Sequence, residues 1–588
     1  MKTWQLIWRI GRFRPWLFLA NTVCVFTIFL CLQAPGLAMR EVLNLLTGDA
    51  PVRLGFWAII ALLGASGAGM MAAHVGIVLS NVPFIFSAAA LMQKNMLSSI
   101  LKRPGAAALT DAPGEAVSRF RGDVDELTVF PLWMNDIVGF ALYSVVAIGI
   151  MLSINAYITT VTFLPMLIVV VIARAATHKV ERLRRASREA AGNVTGFIGE
   201  VFGAVQAVKV ASAEEDVIDR FRTLNSARSR TALRDRLFNE FLGSSFGGTI
   251  NLGTGVILIL AGQAIRAGTF TVGDFALFTY YLGFVMEATG MMGFLIARYR
   301  QAGVSIERMT KLIQGGSAED LVRYGPIYVK GELPEVACPS RGDADRLIDL
   351  CARGLTYRYP DSERGIEDIN LHLKRGTFTV VTGRIGSGKT TLLRVLMGLL
   401  PGDEGEILWN GKPVGDPASF FTPPRCAYTP QVPWLFSDTL KENLLMGMPE
   451  DRVEIQAAVY SAVMEQDLAG LETGLDTVVG PRGVRLSGGQ MQRSAAARMF
   501  VRNPELLVFD DLSSALDVET ERTLWARMFE QQDATCLVVS HRRTALRHAD
   551  HIIVLKDGKV EAEGHLDDLL SQCEEMQRLW KGDLGKPE

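Results

Sequence analysis

The chain has 588 residues, more than one hydrophobic core supports, so two or more domains are expected. Hydrophobic residues make up 49%, and the mean hydropathy of +0.22 is high for a wholly water-soluble protein of this size. The formal net charge of −2 argues against nucleic acid as the main partner. The seven cysteines are scattered and form no C-x-x-C pair, which argues against a disulfide framework and against a zinc site.

Six apolar segments in the first 300 residues are long enough to cross a bilayer. They occupy approximately residues 16–38, 55–86, 131–153, 157–173, 244–265 and 275–297. Six such runs in succession are hard to bury in a soluble protein, so they predict membrane spans. The first run follows a basic N-terminus and has no clear small-x-small cleavage pattern, which favours an uncleaved span over a signal peptide.

Basic residues predict how these spans are oriented in the cell membrane. Two long connections, from Met92 to Val129 and from Arg174 to Glu240, are rich in charge, and the second contains thirteen Lys and Arg residues. The positive-inside rule places the N-terminus and both connections in the cytoplasm. An even number of spans then returns the second half of the chain to the cytoplasm.

A stretch with several Gly and Pro residues, 315–350, is interpreted as a linker. After it, short β-rich runs such as Phe378–Thr382 and Leu506–Phe509 alternate with helical patterns, which is typical of an α/β domain. We therefore expect an all-α transmembrane domain of six helices at 1–314, the linker at 315–350 and an α/β domain at 351–588.

Residues 383–390 read Gly-Arg-Ile-Gly-Ser-Gly-Lys-Thr and fit the P-loop pattern G-x-x-x-x-G-K-[ST]. An apolar run precedes the motif and a helical pattern follows it. Backbone N–H groups and the helix N-terminus would face phosphate oxygens, Lys389 would reach the β- and γ-phosphates of ATP, and the Thr390 hydroxyl would hold Mg²⁺. The other candidate nucleotide ligands in this segment are Gly383, Arg384, Gly386, Ser387, Gly388 and Thr391.

Asp510 ends the apolar run Leu506–Phe509, where a Mg²⁺-binding carboxylate is needed. An Asp at the end of a strand is a weak signal by itself. Its position 120 residues after Thr390 makes it a strong one.

The second half of the chain now resembles the nucleotide-binding domain of ABC transporters. Leu486–Gln490 reads Leu-Ser-Gly-Gly-Gln and matches the signature sequence of that family. A Ser and two Gly at a helix start form a second anion-binding surface, and the alternative is a simple helix cap at Ser487. In the family, this surface faces the γ-phosphate bound by the opposite domain of a dimer. The resemblance implies that role for Ser487, Gly488, Gly489 and Gln490.

Further positions match the family one by one. Tyr359 resembles the aromatic residue that stacks on adenine, with Tyr357 as the alternative. Gln431 resembles the glutamine that senses Mg²⁺ and couples to the membrane helices. His541 resembles the switch histidine that contacts the γ-phosphate, although a His after a strand is usually structural. The implied metal ligands are Thr390, Gln431 and Asp510.

The resemblance covers most of the first half as well. Gly114–Asp125 resembles the first cytoplasmic loop of ABC exporters, and Glu200–Glu214 resembles the second, where a short coupling helix docks on the ATP domain. Gly268–Asp274 resembles the turn into the sixth span, and Ser514–Asp517 matches the D-loop at the dimer interface. The chain is thus identified as resembling an exporter-type half-transporter.

Two positions depart from the family pattern. Asp511 stands where most members have Glu, the general base or orienting group for the attacking water. Asp is one methylene shorter, and a displacement of about 1 Å can cost on the order of 10²-fold in rate, so slow hydrolysis is expected at this chain's own P-loop. Pro481 stands where the family often has Glu, in a loop that contacts the membrane domain, which puts that contact in doubt.

An intact signature beside a weakened hydrolytic site favours an asymmetric heterodimer, with a homodimer of two slow sites as the alternative. The expected function is ATP-driven transport, with export of a lipid, hydrophobic drug or peptide preferred over import. The rival interpretation is a non-transporting regulatory subunit that binds ATP.

Ionisable residues inside the predicted spans are costly and offer clues to the substrate: Glu287 lies in the sixth span, His74 in the second and Asp136 near the start of the third. Glu287 is expected either to face a cavity and attract a cation, or to pair with another helix. Nearby aromatic residues, among them Tyr280, Tyr281 and Phe284, either line an adaptable apolar pocket or serve helix packing.

Overall fold

The computed structural model describes residues 1–48, 55–103, 105, 113–334, 341–360, 362, 364–481, 483–530 and 534–582. The chain divides into two compact units. The first contains Met1–Leu97 and Pro113–Val329, and the second contains Ser98–Ala112 and Lys330–Glu588. The first unit therefore extends beyond the predicted boundary at residue 314, into the segment interpreted as a linker.

The first half of the chain is helical throughout most of its described length. The helices are α1 (Thr3–Phe13), α2 (Pro15–Cys31), α3 (Ala34–Thr47), α4 (Phe56–Leu101), α5 (Pro113–Ser118), α6 (Val124–Ile154), α7 (Ala156–Gly203), α8 (Val205–Ala211), α9 (Glu214–Arg266), α10 (Val272–Leu312) and α11 (Ala318–Leu321). A π-helical turn joins α5 to α6. Each of the six predicted spans lies within these long helices, and the first is divided between α2 and α3.

Three helical stretches are long and apolar enough to cross a membrane within the described ranges: Pro15–Thr47, Phe56–Leu101 and Gly114–Ile154. The pair Lys179–Gly203 and Val205–Ala211 would be a fourth, but it is bent by 74° at its junction. The fifth and sixth predicted spans contain shorter apolar helical stretches, Asn251–Arg266 and Val272–Val285. For much of the fourth, the structure describes the helix but not the side chains.

The break between α2 and α3 is held by hydroxyl groups from α10. Inside a bilayer, backbone groups need hydrogen-bond partners within the protein. Tyr280 Oη donates to Leu32 O at 3.3 Å, and Tyr281 Oη donates to Gln33 O at 3.2 Å. The Gln33 side chain donates in turn to Tyr143 O of α6 at 3.1 Å. These contacts support the packing interpretation for the two tyrosines of the sixth span.

The turn into α10 explains the Gly268–Asp274 pattern. Thr271 Oγ1 accepts from Asp274 N at 3.0 Å, and Asp274 Oδ2 accepts from Thr271 N at 3.0 Å, which forms a reciprocal cap. The Asp274 carboxylate also pairs with Arg40 Nε of α3 at 2.6 Å. A Cβ atom on Gly273 would lie 2.3 Å from Arg40 O, so only glycine permits this close approach.

The second half of the chain contains two sheets and short helices. Its strands are β1 (Asp349–Arg358), β2 (Gly365–Lys374), β3 (Phe378–Gly383), β4 (Glu404–Trp409), β5 (Lys412–Pro413), β6 (Cys426–Thr429), β7 (Leu506–Asp510), β8 (Thr535–Val539), β9 (His551–Lys556) and β10 (Lys559–Gly564). Its helices are α12 (Lys389–Leu396), α13 (Pro417–Phe420), α14 (Leu440–Leu445), α15 (Ile455–Ser461), α16 (Glu465–Ala469), α17 (Gly488–Phe500), α18 (Val518–Glu530), α19 (Arg543–His548), α20 (Leu566–Gln572) and α21 (Glu574–Lys581).

The larger sheet forms the centre of this unit. Its order is β10-β9-β3-β8-β7-β6, and the pairs from β9 to β6 are parallel. Every residue of β3, β7 and β8 is buried, as expected for parallel strands covered on both faces. One face packs against α15, α17 and α18, and the other packs against α12 and the smaller antiparallel sheet, β2-β1-β4-β5.

Candidate nucleotide-binding site

The carboxyl ends of three parallel strands meet at one edge of the larger sheet. The P-loop begins at the end of β3, Asp510 is the last residue of β7, and His541 follows β8 by two residues. Ligands of open α/β sheets bind at this edge because the loops there leave a crevice beyond the strands. Residues that are far apart in the sequence are therefore brought together.

The backbone conformation of the P-loop requires glycine at three positions. Gly383, Gly386 and Gly388 have φ values of +147°, +87° and +98°. A Cβ atom on Gly383 would lie 2.2 Å from Leu555 O, and one on Gly388 would lie 2.9 Å from Ile366 Cγ2. This turn gives the loop a conformation that side-chain-bearing residues rarely adopt, and it leads directly into α12.

Lys389 is half-buried inside the loop. Its Nζ donates to Gly383 O at 2.7 Å and to Arg384 O at 2.6 Å, and it lies 3.4 Å from Ser387 Oγ. Burial lowers the pKa of this ammonium, while the negative charges of Asp511 and Asp510 oppose the shift. The result is a cation positioned at an anion-binding turn.

The Arg384 side chain faces away from this turn. Its Nε donates to Glu575 Oε1 of α21 at 2.6 Å, and Glu575 is buried. Arg384 therefore contributes to the loop through its backbone, and its side chain anchors the loop to the C-terminal helix.

The predicted metal ligands Thr390 and Asp510 are in direct contact. Thr390 Oγ1 donates to Asp510 Oδ1 at 3.0 Å, and Tyr428 Oη donates to Asp510 Oδ2 at 3.3 Å. A hydroxyl and a carboxylate are the oxygen ligands that Mg²⁺ prefers, so the pair fits this ion. Burial raises the pKa of Asp510, and the hydrogen bonds from Thr390 and Tyr428 oppose the shift.

Tyr428 is a site residue that the sequence analysis missed. It lies in β6, three residues before Gln431, and its side chain reaches Asp510 only because β6 pairs with β7. Burial, followed by the charge of Asp510, raises the pKa of Tyr428 to about 12, so the phenol stays protonated and remains a donor. The sequence signal that could have identified Tyr428 was an aromatic residue three positions before Gln431.

Replacing Asp510 by Asn is expected to raise the thermal unfolding midpoint by a few degrees near pH 7. The raised pKa means that the folded state disfavours the ionised carboxylate. The stability contribution is greatest below the unfolded-state pKa and is lost as the pH rises through the folded-state pKa. The difference between Asp510→Asn and the unchanged protein should therefore shrink toward pH 4 in thermal melts of the metal-free protein.

Asp517 supplies a control of opposite sign. Backbone and side-chain hydrogen bonds, mainly from Thr520, lower the pKa of this exposed carboxyl. The stabilisation is present above the unfolded-state pKa and is lost on acidification, so Asp517→Asn should lower the midpoint near pH 7. If both variants shift the midpoint in the same direction, the assignment of the Asp510 effect to burial is wrong.

Asp511 lies beside the other predicted hydrolytic residues. Its Oδ2 accepts from Gln431 Nε2 at 3.3 Å, and its Oδ1 is buried without a hydrogen-bond partner among the described residues. Burial raises the pKa of Asp511, and the nearby His541 is the largest opposing influence. Gln431 thus contacts Asp511, whereas the other two predicted metal ligands contact each other.

A cleft of about 380 Å³ lies beside the P-loop. Its lining includes Tyr359, Gly365 and Thr390, and the Tyr359 hydroxyl lies 3.2 Å from Thr391 Oγ1. Tyr357 is buried and packs against the Tyr359 ring with the centroids 5.1 Å apart. Of the two candidate adenine-stacking residues, only Tyr359 borders the cleft.

The signature residues begin α17. Ser487 Oγ accepts from Gln490 N at 3.2 Å, and Gln490 Oε1 accepts from Ser487 N at 2.8 Å. The cap interpretation and the anion-surface interpretation are therefore compatible, because Ser487 and Gly488 are also exposed. A Cβ atom on Gly489 would lie 2.9 Å from Ala515 O, so the helix start packs closely against the D-loop.

Gln492 connects three of these segments, and the sequence analysis did not identify it. Its Nε2 donates to Ser514 Oγ at 3.1 Å and to Gln431 O at 3.4 Å, and its Oε1 accepts from Ala515 N at 3.2 Å. The side chain is buried. It therefore fixes the backbone of Gln431 and the D-loop relative to the signature helix.

Replacing Gln492 by Ala is expected to lower ATP turnover by 10- to 100-fold, since a shift of about 1 Å in a hydrolytic group has a cost of that order. The measurement is steady-state phosphate release by the full-length protein. Gln577→Ala is the matched control, because Gln577 Nε2 donates only within the C-terminal helices, to Leu570 O at 2.8 Å. Equal rates for the two variants would contradict the positioning role.

The comparisons with known proteins agree with this geometry. The family model described as ABC transporter transmembrane region matches residues 21–289, and the model described as ABC transporter matches residues 366–514. The chain is 27% identical over 481 residues to an ATP-dependent lipid A-core flippase of Bordetella pertussis, covering 81% of this chain and 75% of the relative. It is 26% identical over 511 residues to a Bacillus subtilis protein named "Probable multidrug resistance ABC transporter ATP-binding/permease protein", covering 83% and 82%.

A solved structure has a similar fold. It is the structure of a bacterial Atm1-family ABC exporter with ATP bound, with a TM-score of 0.76 and 21% identity. The similarity covers 98% of this chain and 99% of the other.

Proposed function

Since this chain belongs to the ABC transporter family as an exporter-type half-transporter, we propose that it exports a lipid, a hydrophobic drug or a peptide as one half of a dimer. Its helical transmembrane domain and cytoplasmic ATP-binding domain are the two parts that ATP-driven export requires. Two relatives, named as a lipid flippase and as a multidrug resistance transporter, support an amphipathic or hydrophobic substrate.

The observation that carries the proposal is the cluster at the edge of the larger sheet. Lys389 lies at the turn where the phosphates of ATP would bind, and Tyr359 borders the adjoining cleft. Thr390 and Asp510 would hold Mg²⁺, which offsets phosphate charge when bound. Asp511 would accept a proton from, or orient, the attacking water, and His541 beside it would contact the terminal phosphate.

Two exposed surfaces, the start of α17 and the helix α8, support the proposal that this chain works with a partner. Ser487 and Gly488 present the start of α17 to solvent, as expected for a surface that completes a site in another chain. The short helix α8 has no buried residue, and Phe202 and Val210 beside or within it are 76% and 88% exposed. Exposed apolar residues on a short helix are available to a partner surface, which fits the coupling helix predicted in Glu200–Glu214.

We further propose that the partner is a different half-transporter that carries Glu at the position of Asp511. The signature residues of this chain would then complete an active site in the partner, while its own site retains ATP for longer. The Asp511 carboxylate supports this arrangement, because within the described ranges its Oδ1 has no hydrogen-bond partner and its Oδ2 accepts from the Gln431 side chain. A homodimer with two slow sites is the alternative.

The proposal is tested by transport in proteoliposomes. Full-length protein, purified with any chain that accompanies it, should move a fluorescent phospholipid or a cationic amphiphile when Mg·ATP is supplied. Lys389→Met should abolish this movement. If neither the protein alone nor its natural complex moves any solute while ATP still binds, the chain is a regulatory subunit and the export proposal is wrong.

Charge recognition in the sixth span gives a further prediction. Glu287 is exposed on α10, about two helical turns after Tyr280. If it faces the substrate pathway, Glu287→Gln should reduce the stimulation of ATP turnover by cationic amphiphiles about tenfold and leave neutral ones unaffected. Glu215→Gln, on the exposed first turn of α9, is the control. Unchanged stimulation by every cationic compound would contradict a role in the cavity.

A further inference from the structure

A group of three metal-binding side chains lies on the smaller sheet of the second unit, outside the nucleotide cleft. Cys351 of β1 pairs directly with His372 of β2, so their side chains occupy one face. Asp349 lies two residues before Cys351 on the same strand and therefore points to that face as well. The ligand atoms of the three residues all lie within 4.8 Å of one another.

We propose that Asp349, Cys351 and His372 form a binding site for a divalent transition-metal ion of the Zn²⁺ class. The Sγ of Cys351 lies 3.4 Å from Asp349 Oδ2, and His372 Nε2 lies 3.8 Å from the same oxygen. In a tetrahedral zinc site, typical bond lengths place neighbouring N, O and S ligands about 3.4–3.6 Å apart. The strand pairing thus holds two of the three ligand pairs near the required separations before any ion binds, and the ligand atoms of Cys351 and His372 lie within 4.8 Å of each other.

The chemistry of the three groups selects the class of ion. A thiolate and an imidazole are ligands of Zn²⁺ and similar ions and are poor ligands for Mg²⁺ or Ca²⁺. Binding forms a bond from sulfur to metal and releases the thiol proton to solvent. The thiolate and the carboxylate then carry two negative charges, which balance the charge of a divalent ion beside a neutral imidazole.

The surroundings leave room for a further ligand from solvent. The three residues are half-buried or exposed, and Cys351 and His372 line an open cleft of about 630 Å³. Water can occupy the fourth position there. The cleft also contains His551, which is paired with Glu563 at 3.4 Å.

The site lies at the end of the β1–β2 pair opposite to the nucleotide cleft. Arg358 pairs with Gly365 at the other end of these two strands. Gly365 borders the nucleotide cleft, and so does Tyr359, which follows Arg358 in the chain. A bound ion would join the start of β1 to the end of β2. It would therefore raise the thermal midpoint of the protein, by an amount that grows with the logarithm of the free ion concentration divided by its Kd, with no requirement for ATP.

The test uses full-length protein in detergent, stripped with a chelator, and Co²⁺ as a spectroscopic probe. We expect one equivalent of Co²⁺ to produce a thiolate-to-metal charge-transfer band, and Zn²⁺ to displace it. Cys351→Ser should abolish the band, and His372→Ala or Asp349→Asn should weaken affinity at least tenfold. His551→Ala, in the same cleft, is the matched control and should leave the affinity unchanged.

Three results would overturn the proposal. One is a band that persists in Cys351→Ser, another is a Zn²⁺ affinity that is equal in the unchanged protein and in His372→Ala, and the third is a loss in His551→Ala as large as that in His372→Ala. Nucleotide binding by each variant confirms its folding. If Cys351→Ser is not folded, Cys351→Ala and His372→Gln provide the same comparison.

Discussion

Lys389→Met is expected to reduce ATP turnover on the order of 10²- to 10³-fold, the loss typical of removing one preorganised group that stabilises charge in a transition state. The ammonium lies at the turn of the P-loop, with its protons directed at the carbonyls of Gly383 and Arg384. The methionine side chain has a similar length and no charge, so the loop keeps its packing and loses its cation. Phosphate release by the purified chain alone at saturating Mg·ATP measures the effect.

Lys412→Met is the matched control, because Lys412 is an exposed residue of the short strand β5. Its turnover should equal that of the unchanged protein. Thermal melts of both variants separate loss of chemistry from loss of folding. A Lys389→Met variant that is folded and retains more than a tenth of the turnover would contradict the placement of the phosphates at this loop.

Asp511→Glu is expected to raise turnover of the purified chain on the order of 10²-fold, since the additional methylene moves the carboxylate by about 1 Å toward its usual place in the family. The structure adds a second expectation. Asp511 has a φ of +55°, a left-handed conformation that Asp tolerates better than Glu. The same substitution should therefore reduce stability by about 1 kcal/mol.

Asp511→Asn is the control, because it keeps the size and the backbone preference of Asp and removes the negative charge. Its turnover should fall below that of the unchanged protein. The proposal of a weakened site would be wrong if the purified chain already hydrolyses ATP at a normal exporter rate and Asp511→Glu gives no gain. The proposal of a Glu-bearing partner would lose its basis at the same time.

Asp511→Glu and Ser487→Ala together distinguish the heterodimer from the homodimer. In a heterodimer, the faster site belongs to the partner's P-loop and the signature at Ser487 of this chain. Asp511→Glu would then change the turnover of the complex little, while Ser487→Ala would reduce it strongly. In a homodimer of two slow sites, Asp511→Glu would accelerate both sites equally.

The amino-acid sequence by itself determined the class of protein and the identity of the nucleotide-binding motifs. The family models and the fold confirm an exporter-type chain with a helical transmembrane domain and an ABC domain. Local patterns suffice for this conclusion, because apolar run length, glycine spacing and the residues at strand ends are each set by nearby sequence. The P-loop, Asp510 and Ser487 could therefore be located without coordinates.

Only the tertiary structure decided which side chains meet. Tyr428 reaches Asp510 through the pairing of β6 with β7, and Gln492 bridges two loops that are distant in the sequence. The same holds for Cys351 and His372, because their spacing in the sequence gave no metal-binding signal. Strand register and helix packing are non-local, so no periodicity within one segment encodes them.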